Sequence, residues 1–352
     1  MRYRYILLFI CSFLCSCREN NKQNNPIDYF TESVDLFHKN LNVDPYKLGS
    51  PGKMIMFDNN EFLIKEESRD GFNLSKIYYN KDSIIQLAPK GNGPNEFLKL
   101  TLMQKDTDTS FYAFDVLKRQ IYNISIDNAY KYNCEIDVYS TSVINLDQYY
   151  LSQGINVNNP ITNNSRFTVF SLNGRRCKTF GSFPKDKIST TVENKQMAYQ
   201  GKMVVNKNLN RFAFTTFSSA VFEIYELDSL IVSRHDRLPQ YTIKSGSNIL
   251  GVVYSSDNKR GYIDSYSTSH FIYTLYSGKS PKDILDGNFD KTSLTRIILV
   301  YDWDGKPICR LNTDIDLRNI CVSEDNSYMI GLACENDYSL CVFDLSGVNS
   351  LK

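Results

Sequence analysis

A run of aromatic and β-branched residues followed by a short polar turn recurs along the chain. Short apolar runs bounded by Asn, Asp, Gly and Ser are typical of antiparallel strands joined in hairpins. The clearest copies are "SKIYYNKDS" at Ser75, "RQIYNISIDN" at Arg119, "RFTVFSLNGR" at Arg166, "VFEIYELDS" at Val221, "RIILVYDWDGK" at Arg296 and "SLCVFDLSG" at Ser339. The hydrophobic pattern therefore predicts an all-β protein built from a repeated strand unit.

The spacing of these copies indicates the architecture. Three of the five steps between equivalent apolar positions fall near the roughly 40–50 residues of a four-stranded propeller blade. The longest step contains "SGKSPKDILDGNFDKTS", a polar stretch that is typical of a loop inserted between strands. We therefore predict a six-bladed β-propeller of four-stranded antiparallel blades, in which radial repetition protects the sheet edges. Two β-sandwich domains are the alternative, and the regular spacing disfavours them.

The turns support this interpretation, and helical patterns are scarce. "LNGR" and "DWDGK" contain a glycine, which reaches positive φ without Cβ strain and so favours a tight hairpin. The one helical candidate is "PIDYFTESVDLFHKN", where Ile27, Phe30, Val34 and Phe37 lie on one side of a helix. This stretch is either a short helix or an irregular lead-in to the first blade.

The N-terminus has the three parts of a secretory signal. Arg2 and Arg4 precede a mostly apolar core from Ile6 to Leu14, and small residues follow. This core is too short to span a bilayer, which needs about 20 apolar residues. Residues 1–16 are therefore predicted to be a signal peptide rather than a membrane anchor.

The sequence "LCSC" at the end of this segment resembles a bacterial lipobox, with Cys17 as the lipidated residue. A polar stretch, "RENNKQNN", begins directly after Cys17. We predict residues 17–40 to be a lipidated cysteine with a tether or lead-in, and residues 41–352 to be the propeller. The acyl chains would attach the protein to the cell envelope. Arg18 follows the cysteine, and by resemblance to known sorting rules this favours the outer membrane.

Composition limits the remaining possibilities. The chain has 40 Lys and Arg against 39 Asp and Glu, so it lacks the basic excess expected of a nucleic-acid-binding protein. Six cysteines follow Cys17, and most lie in strand-like runs, where a free thiol behaves as a small apolar group. Cys334 and Cys341 flank a short turn, so a disulfide across that hairpin is an alternative to buried thiols. The single Trp, Trp303, is expected to pack between blades.

The stretch from Leu48 to Phe97 resembles the first blade of the TolB-like six-bladed β-propeller lipoproteins of bacterial envelopes. The resemblance includes a "GxGPxEF" signature, here "GNGPNEF" from Gly91 to Phe97, and extends to "LVYDWDGKPICRLNTDIDLRNICVSEDNSYMIGLA" near the C-terminus. Members of this family have no assigned biochemical role. The resemblance therefore implies a fold and an envelope location, not a reaction.

The signature itself has a structural interpretation. Gly91 and Gly93 permit backbone angles closed to other residues, and Pro94 fixes its own φ. Glu96 can accept hydrogen bonds, and Phe97 can fill a core between blades. We interpret the motif as a turn that crosses between blades, with a ligand-binding loop as the alternative. It is not a phosphate loop, because it lacks the Gly-Lys-Ser/Thr ending.

Residues that would indicate catalysis or a metal are few. His38, His235 and His270 are far apart and match no metal-binding pattern. Asp302 and Asp304 in "DWDGK" lack the closing glutamate of a calcium loop. No Gly-x-Ser-x-Gly nucleophile elbow is present. We therefore predict no catalytic residue, metal or cofactor.

Three functions remain open from the sequence. The favoured one is a non-catalytic propeller that binds or scaffolds a protein partner at the envelope. The second is an accessory or sensor protein that binds a small molecule such as a glycan. The third is a hydrolase or lyase with its site in the central channel. The fold alone does not decide among them, because function depends on the site.

Overall fold

Strands dominate the computed structural model, as the sequence predicts. It describes residues 25–43, 49–57, 60–66, 71–79, 81, 83–127, 129–156, 165–226, 231–244, 251–335 and 337–351. The predicted signal peptide and Cys17 lie outside these residues.

The described chain begins with a 3₁₀ helix, Pro26–Tyr29, followed by two short strands, β1 (Ser33–Leu36) and β2 (His38–Asn40). Pro26 occupies the first turn of the helix, where its missing N–H costs nothing. The helical alternative for this segment is therefore correct only for its first turn. The rest is extended, and the helical spacing of Val34 and Phe37 does not produce a helix.

Four four-stranded antiparallel sheets follow, each with its strands adjacent in chain order. The first contains β3 (Met54–Phe57), β4 (Glu61–Lys65), β5 (Phe72–Tyr78) and β6 (Ser83–Pro89). The second contains β7 (Leu100–Thr107), β8 (Ser110–Asp115), β9 (Gln120–Ser125) and β10 (Tyr130–Glu135). The third contains β11 (Val138–Asn145), β12 (Tyr149–Asn156), β13 (Ser165–Ser171) and β14 (Arg176–Ser182). After helix α1 (Val192–Ala198), the fourth contains β15 (Gly201–Asn206), β16 (Arg211–Thr216), β17 (Ala220–Glu226) and β18 (Ile231–Arg237).

The C-terminal part forms a hairpin and one larger sheet. The hairpin consists of β19 (Tyr241–Ile243) and β20 (Val252–Tyr254). The remaining strands are β21 (Tyr262–Ser267), β22 (Phe271–Tyr276), β23 (Thr295–Asp302), β24 (Pro307–Val322), β25 (Tyr328–Cys334) and β26 (Tyr338–Asp344).

These strands and the N-terminal strands make an eight-stranded sheet. Its order is β21, β22, β23, β24, β25, β26 and β2, and β1 lies parallel beside β24. The long strand β24 pairs mainly through Pro307–Asn312 with β23 and through Leu317–Val322 with β25. At the far edge, β2 pairs antiparallel with β26. The described part of the predicted tether thus supplies two strands of the folded domain.

Six strands, the first strand of each sheet and β24 of the eight-stranded sheet, form a closed ring around a central channel. In ring order, β3 lies beside β7, β7 beside β11, β11 beside β15, β15 beside β21, β21 beside β24, and β24 beside β3. The molecule is therefore an all-β propeller.

Apolar cores fill the junctions between successive sheets. Between the fourth sheet and the eight-stranded sheet, for example, Phe222 stacks on Tyr301 with ring centroids 4.2 Å apart. The ring closes where Met54 and Phe62 of the first sheet pack in one cluster with Cys321, near the C-terminus. Because every sheet packs on both sides, burial of apolar surface holds the ring together.

Two predicted turns and the position of Trp303 are confirmed. Gly174 in "LNGR" and Gly305 in "DWDGK" have φ of 81° and 83°, in the region that glycine adopts without strain. Trp303 is buried, and its Nε1 donates to the carbonyl oxygen of Thr268 at 3.1 Å. The polar stretch before β23 is an inserted loop with two 3₁₀ helices, Pro281–Asp283 and Phe289–Ser293.

The cysteines of the described chain are free thiols. Cys134, Cys309, Cys321 and Cys341 are buried, as expected for small apolar groups. The alternative disulfide is wrong, because the register of the last hairpin places Cys341 opposite Gly331 and Cys334 opposite Tyr338. The two thiols are therefore not cross-strand neighbours.

Candidate functional site

The central channel contains two cavities. One has a volume of about 430 Å³ and the other about 470 Å³, and Lys53 and Met203 line both. Residues of all five sheets line the larger cavity, and it is therefore surrounded by the ring of first strands. The channel is the concave site at which side chains from the whole fold converge.

The smaller cavity, which we call the basic chamber, is lined by cationic side chains. They come from distant parts of the chain: Lys53 before β3, Lys65 at the end of β4, Lys202 in β15, Arg260 before β21 and Arg318 in β24. No Asp or Glu is among the described residues that line it. The other polar side chains there are hydroxyls and one amide, from Ser50, Thr101, Ser142, Ser293 and Asn319.

Lys53 lies where the two cavities meet. Its Nζ donates to the carbonyl oxygen of Met103 at 2.6 Å. Burial lowers the pKa of Lys53 from 10.5 to about 8, with a further lowering by the charge of Lys202 and a partial opposing effect of Asp264. The charged form of this amine is therefore disfavoured, first by its burial and then by the neighbouring positive charge.

Asp264 holds Lys202 in place. The carboxylate is buried on β21, accepts a hydrogen bond from Lys202 Nζ through Oδ1, and accepts the backbone N–H of Ile320 through Oδ2 at 3.1 Å. It thereby links three neighbouring strands of the ring, β15, β21 and β24. One of the chamber's cations is neutralised in this way.

The two arginines are oriented by neutral partners. Arg260 Nη2 donates to Ser293 Oγ at 3.3 Å, whereas its buried Nε has no acceptor among the described residues. Arg318 Nη1 donates to the Tyr338 hydroxyl at 2.7 Å, and its guanidinium lies 5.8 Å from the centre of that ring. Neither of these hydrogen-bond partners carries a negative charge that would offset a guanidinium group.

The larger cavity, which we call the mixed chamber, has acidic and basic side chains in contact. Lys105 pairs with Asp108 at 2.9 Å, and Lys207 lies 3.6 Å from Asp106. Glu324 also lines this cavity, and its Oε1 accepts the backbone N–H of Ser269 at 2.7 Å. Because these charges offset one another, the mixed chamber lacks the charge preference of the basic chamber.

The residues singled out in "GNGPNEF" lie away from both cavities. The segment connects β6 to β7, and Glu96 Oε2 accepts the backbone N–H of Gly93 at 2.8 Å. A Cβ on Gly91 would overlap the same carboxylate, so a side chain there would require the Glu96 side chain to move. Pro94 is exposed. Phe97 is buried, with its ring 4.9 Å from that of Tyr122.

The histidines do not converge either. His38 contacts Asp314 through Nδ1 at 3.0 Å, His235 lies 3.1 Å from the carbonyl oxygen of Gly305, and His270 is exposed. Within the described ranges, no three His, Cys, Asp or Glu side chains are grouped as a metal site would require.

The sequence analysis did not identify the basic chamber. Its cations are scattered from position 53 to position 318 without a regular spacing, in a chain whose total charge is nearly zero. A weak signal exists in retrospect, since Lys53 and Lys202 stand at or just before the first strand of their sheets.

Comparison with known families agrees with the architecture. The sequence profile of the TolB-like 6-blade propeller-like family matches residues 31–325. The chain belongs to this family. No curated protein matches the sequence of this TolB-like chain. Among the helices of its described residues, none has the length and apolar character to cross a bilayer.

Solved structures similar to the TolB-like chain share its fold at low sequence identity. A putative exported protein from Bacteroides fragilis has a TM-score of 0.51 at 13% identity, with 89% of this chain and 98% of that one covered. A DUF4221 family member from Bacteroides vulgatus has a TM-score of 0.52 at 10% identity, with 88% and 96% covered. A protein of unknown function from Bacteroides thetaiotaomicron has a TM-score of 0.51 at 9% identity, with 87% and 75% covered.

Proposed function

We propose that this protein is a non-catalytic binding module of the cell envelope, and that its central channel is the ligand site. The observation that supports this most directly is the convergence of cationic and hydroxyl side chains from separate sheets on one cavity. The volume of about 430 Å³ lies within the roughly 300–1,000 Å³ that is usual for small-molecule sites. The cavity combines apolar wall residues such as Met203 and Ile263 with polar groups that can orient a ligand.

The proposal includes six blades. The eight-stranded sheet divides at β24, whose first half completes a blade with β21, β22 and β23. The second half opens a further blade with β25, β26 and β2. Together with the four separate sheets this gives six, in agreement with the description of the family.

We also propose that the protein is exported and held at the outer membrane by lipid on Cys17. Export is supported by the apolar N-terminal segment and by the structurally similar Bacteroides fragilis protein, which is described as exported. The lipobox-like "LCSC" supports the anchor. The propeller would then present its channel to solutes of the envelope.

A protein-scaffolding role is the second candidate. It is favoured by the inserted loop before β23, where Leu285 is 99% exposed and Phe289 is 58% exposed. Exposed apolar side chains are common on surfaces, and two of them do not define an interface. The channel is therefore the stronger candidate.

Thermal unfolding of the detergent-purified full chain distinguishes a ligand site in the channel from the protein-scaffolding role. The scan is repeated with panels of anionic, cationic and uncharged small molecules, each followed by mass spectrometry for chemical change. We expect one panel to raise the midpoint without turnover, since a ligand that binds only the folded state stabilises it. If no panel raises it, and crosslinked envelopes yield a stoichiometric protein partner, the scaffolding role replaces the channel.

A further inference from the structure

We propose that the basic chamber binds a small polyanion, a ligand with at least two carboxylate or phosphate groups. This inference rests on the proposed binding function and adds the chemical class of the ligand. It does not depend on the lipid anchor or on the number of blades.

The first support is the charge of the wall. Lys53, Lys202, Arg260 and Arg318 face the chamber, and among these four only Lys202 forms an ion pair with a carboxylate of the described residues, Asp264. Like charges gathered around a cavity with restricted solvent repel one another, and this repulsion costs folding free energy. An anion in the chamber would relieve that repulsion, whereas a neutral ligand would not.

The second support is the state of Lys53. Burial is the main cause of the lowered pKa of Lys53, and the charge of Lys202 lowers it further, so both amines lie at the same part of the channel wall. Among the described residues, the Lys53 amine donates to a neutral acceptor, the carbonyl oxygen of Met103. A ligand carboxylate or phosphate placed between these amines would interact with both.

The third support is the geometry of the arginine groups. Arg260 reaches the chamber from the segment before β21 and Arg318 from β24, and the side chains that accept their hydrogen bonds among the described residues, Ser293 and Tyr338, are neutral. Guanidinium groups bind carboxylates and phosphates through two parallel hydrogen bonds, which makes them selective for planar or tetrahedral oxyanions. Two such groups, with the lysines between them, match a ligand that has more than one anionic group.

The mixed chamber provides an internal comparison. It is of similar volume, and two of its lysines, Lys105 and Lys207, lie beside Asp108 and Asp106. The two ends of the channel thus differ in charge rather than in size. A polyanion is expected to prefer the basic end.

Calorimetric titration of the detergent-purified full chain tests the proposal. The probes are citrate, digalacturonate and pyrophosphate, with an uncharged disaccharide for comparison. We expect at least one anion to bind with one-to-one stoichiometry. Its affinity should fall as the salt concentration rises from about 0.05 M to about 0.3 M, because counterions screen the charges of the chamber. Binding of citrate or digalacturonate would identify a carboxylate ligand, and binding of pyrophosphate alone a phosphate ligand.

Variants locate the site. Lys53→Gln and Arg318→Gln are each expected to weaken anion binding about tenfold or more, which corresponds to loss of one charge-assisted hydrogen bond. Lys131→Gln, on the exposed face of β10 away from both cavities, is the matched control and should leave affinity unchanged. Urea unfolding of each variant shows whether the fold is retained.

Three results would overturn the proposal. The first is an anion affinity that Lys53→Gln and Arg318→Gln leave unchanged in folded protein. The second is that the protein binds the uncharged disaccharide more tightly than the anions and loses this binding in a channel variant. That result would keep the proposed binding function and reject the polyanion as its ligand. The third is that no probe binds in calorimetry and no panel raises the unfolding midpoint, which would reject both the polyanion and the proposed binding function.

Discussion

Asp264 of β21 accepts a hydrogen bond from Lys202 of β15, across the junction between two neighbouring first strands of the propeller ring. The same carboxylate accepts the backbone N–H of Ile320 in β24. One buried group therefore fixes a cation at the wall of the basic chamber and connects three strands of the ring.

Asp264→Asn is expected to destabilise the protein by about 3 kcal/mol, because it leaves Lys202 among other cations without its counter-charge. Urea unfolding measures the change. Asp316→Asn is the matched control: Asp316 is 3.7 Å from Lys279 and 3.6 Å from Arg296, on the surface. Such exposed pairs contribute about 0–1 kcal/mol. Equal losses for the two variants would contradict a special role for Asp264.

The lowered pKa of Lys53 predicts that the stability of the fold depends on pH. Its pKa is lowered in the fold to about 8 from 10.5, so between these values the unfolded chain binds more protons than the folded chain. The free energy of unfolding therefore increases as pH rises from about 8 to 10.5. Below pH 8 the amine is charged in the folded protein, and burial of this charge destabilises the fold. The difference in urea midpoint between Lys53→Met and wild type should be largest near pH 7 and shrink toward pH 10.

The same group predicts how anion binding responds to pH. Loss of the Lys53 proton above about pH 8 removes one positive charge from the chamber, while the Lys202–Asp264 pair stays in place. The affinity of a bound polyanion should therefore fall as pH rises through 8 in wild type. In Lys53→Gln this step should be absent, and a step that persists would assign the titration to another group.

Phe97 is expected to contribute to stability and not to ligand binding. Its ring is buried between the first and second sheets, in a cluster that includes Phe111 and Ile55. Phe97→Ala should cost about 3–5 kcal/mol, measured by urea unfolding. The neighbouring Leu98 is 41% exposed, so Leu98→Ala serves as the control with an expected change within about 0.5 kcal/mol. Loss of ligand binding in a folded Phe97 variant would instead favour the loop as a binding site.

Cys17→Ala is expected to release the protein from membranes, since it removes the proposed site of lipid attachment. Fractionation of cells into soluble and membrane material, followed by detection of the protein, measures this. Cys15→Ala is the control, because Cys15 would leave with the signal peptide. Membrane retention of the Cys17 variant equal to that of wild type would disprove the anchor.

Much of the fold was predictable because strands and hairpins have local signals. The runs around Ile77, Phe167 and Leu340 are all strands, and the turns at Gly174 and Gly305 have the expected positive φ. Strands β1 and β2 were not indicated by the sequence, because they are too short to show an alternating pattern. Helix α1 was missed for a similar reason: it has only seven residues, although Thr191 caps its N-terminus.

The binding site was not predictable in the same way. Lys53, Lys202 and Arg318 are brought together by closure of the ring, which depends on packing between sheets rather than on local sequence. Among the 40 basic residues of the chain, nothing in their spacing distinguishes these three. In contrast, "GNGPNEF" was conspicuous in sequence and lies outside the channel, where it shapes a turn.

The pairing of β2 with β26 has a consequence for biogenesis. It joins segments at opposite ends of the chain through backbone hydrogen bonds, and Leu41 N adds a further bond to the carbonyl oxygen of Leu340 at 2.8 Å. These contacts cannot form until the last strand has been synthesised. Because long-range pairing is slow to form, the newly made polypeptide passes through an open ring with exposed sheet edges, and the ring closes only when strands β2 and β26 meet.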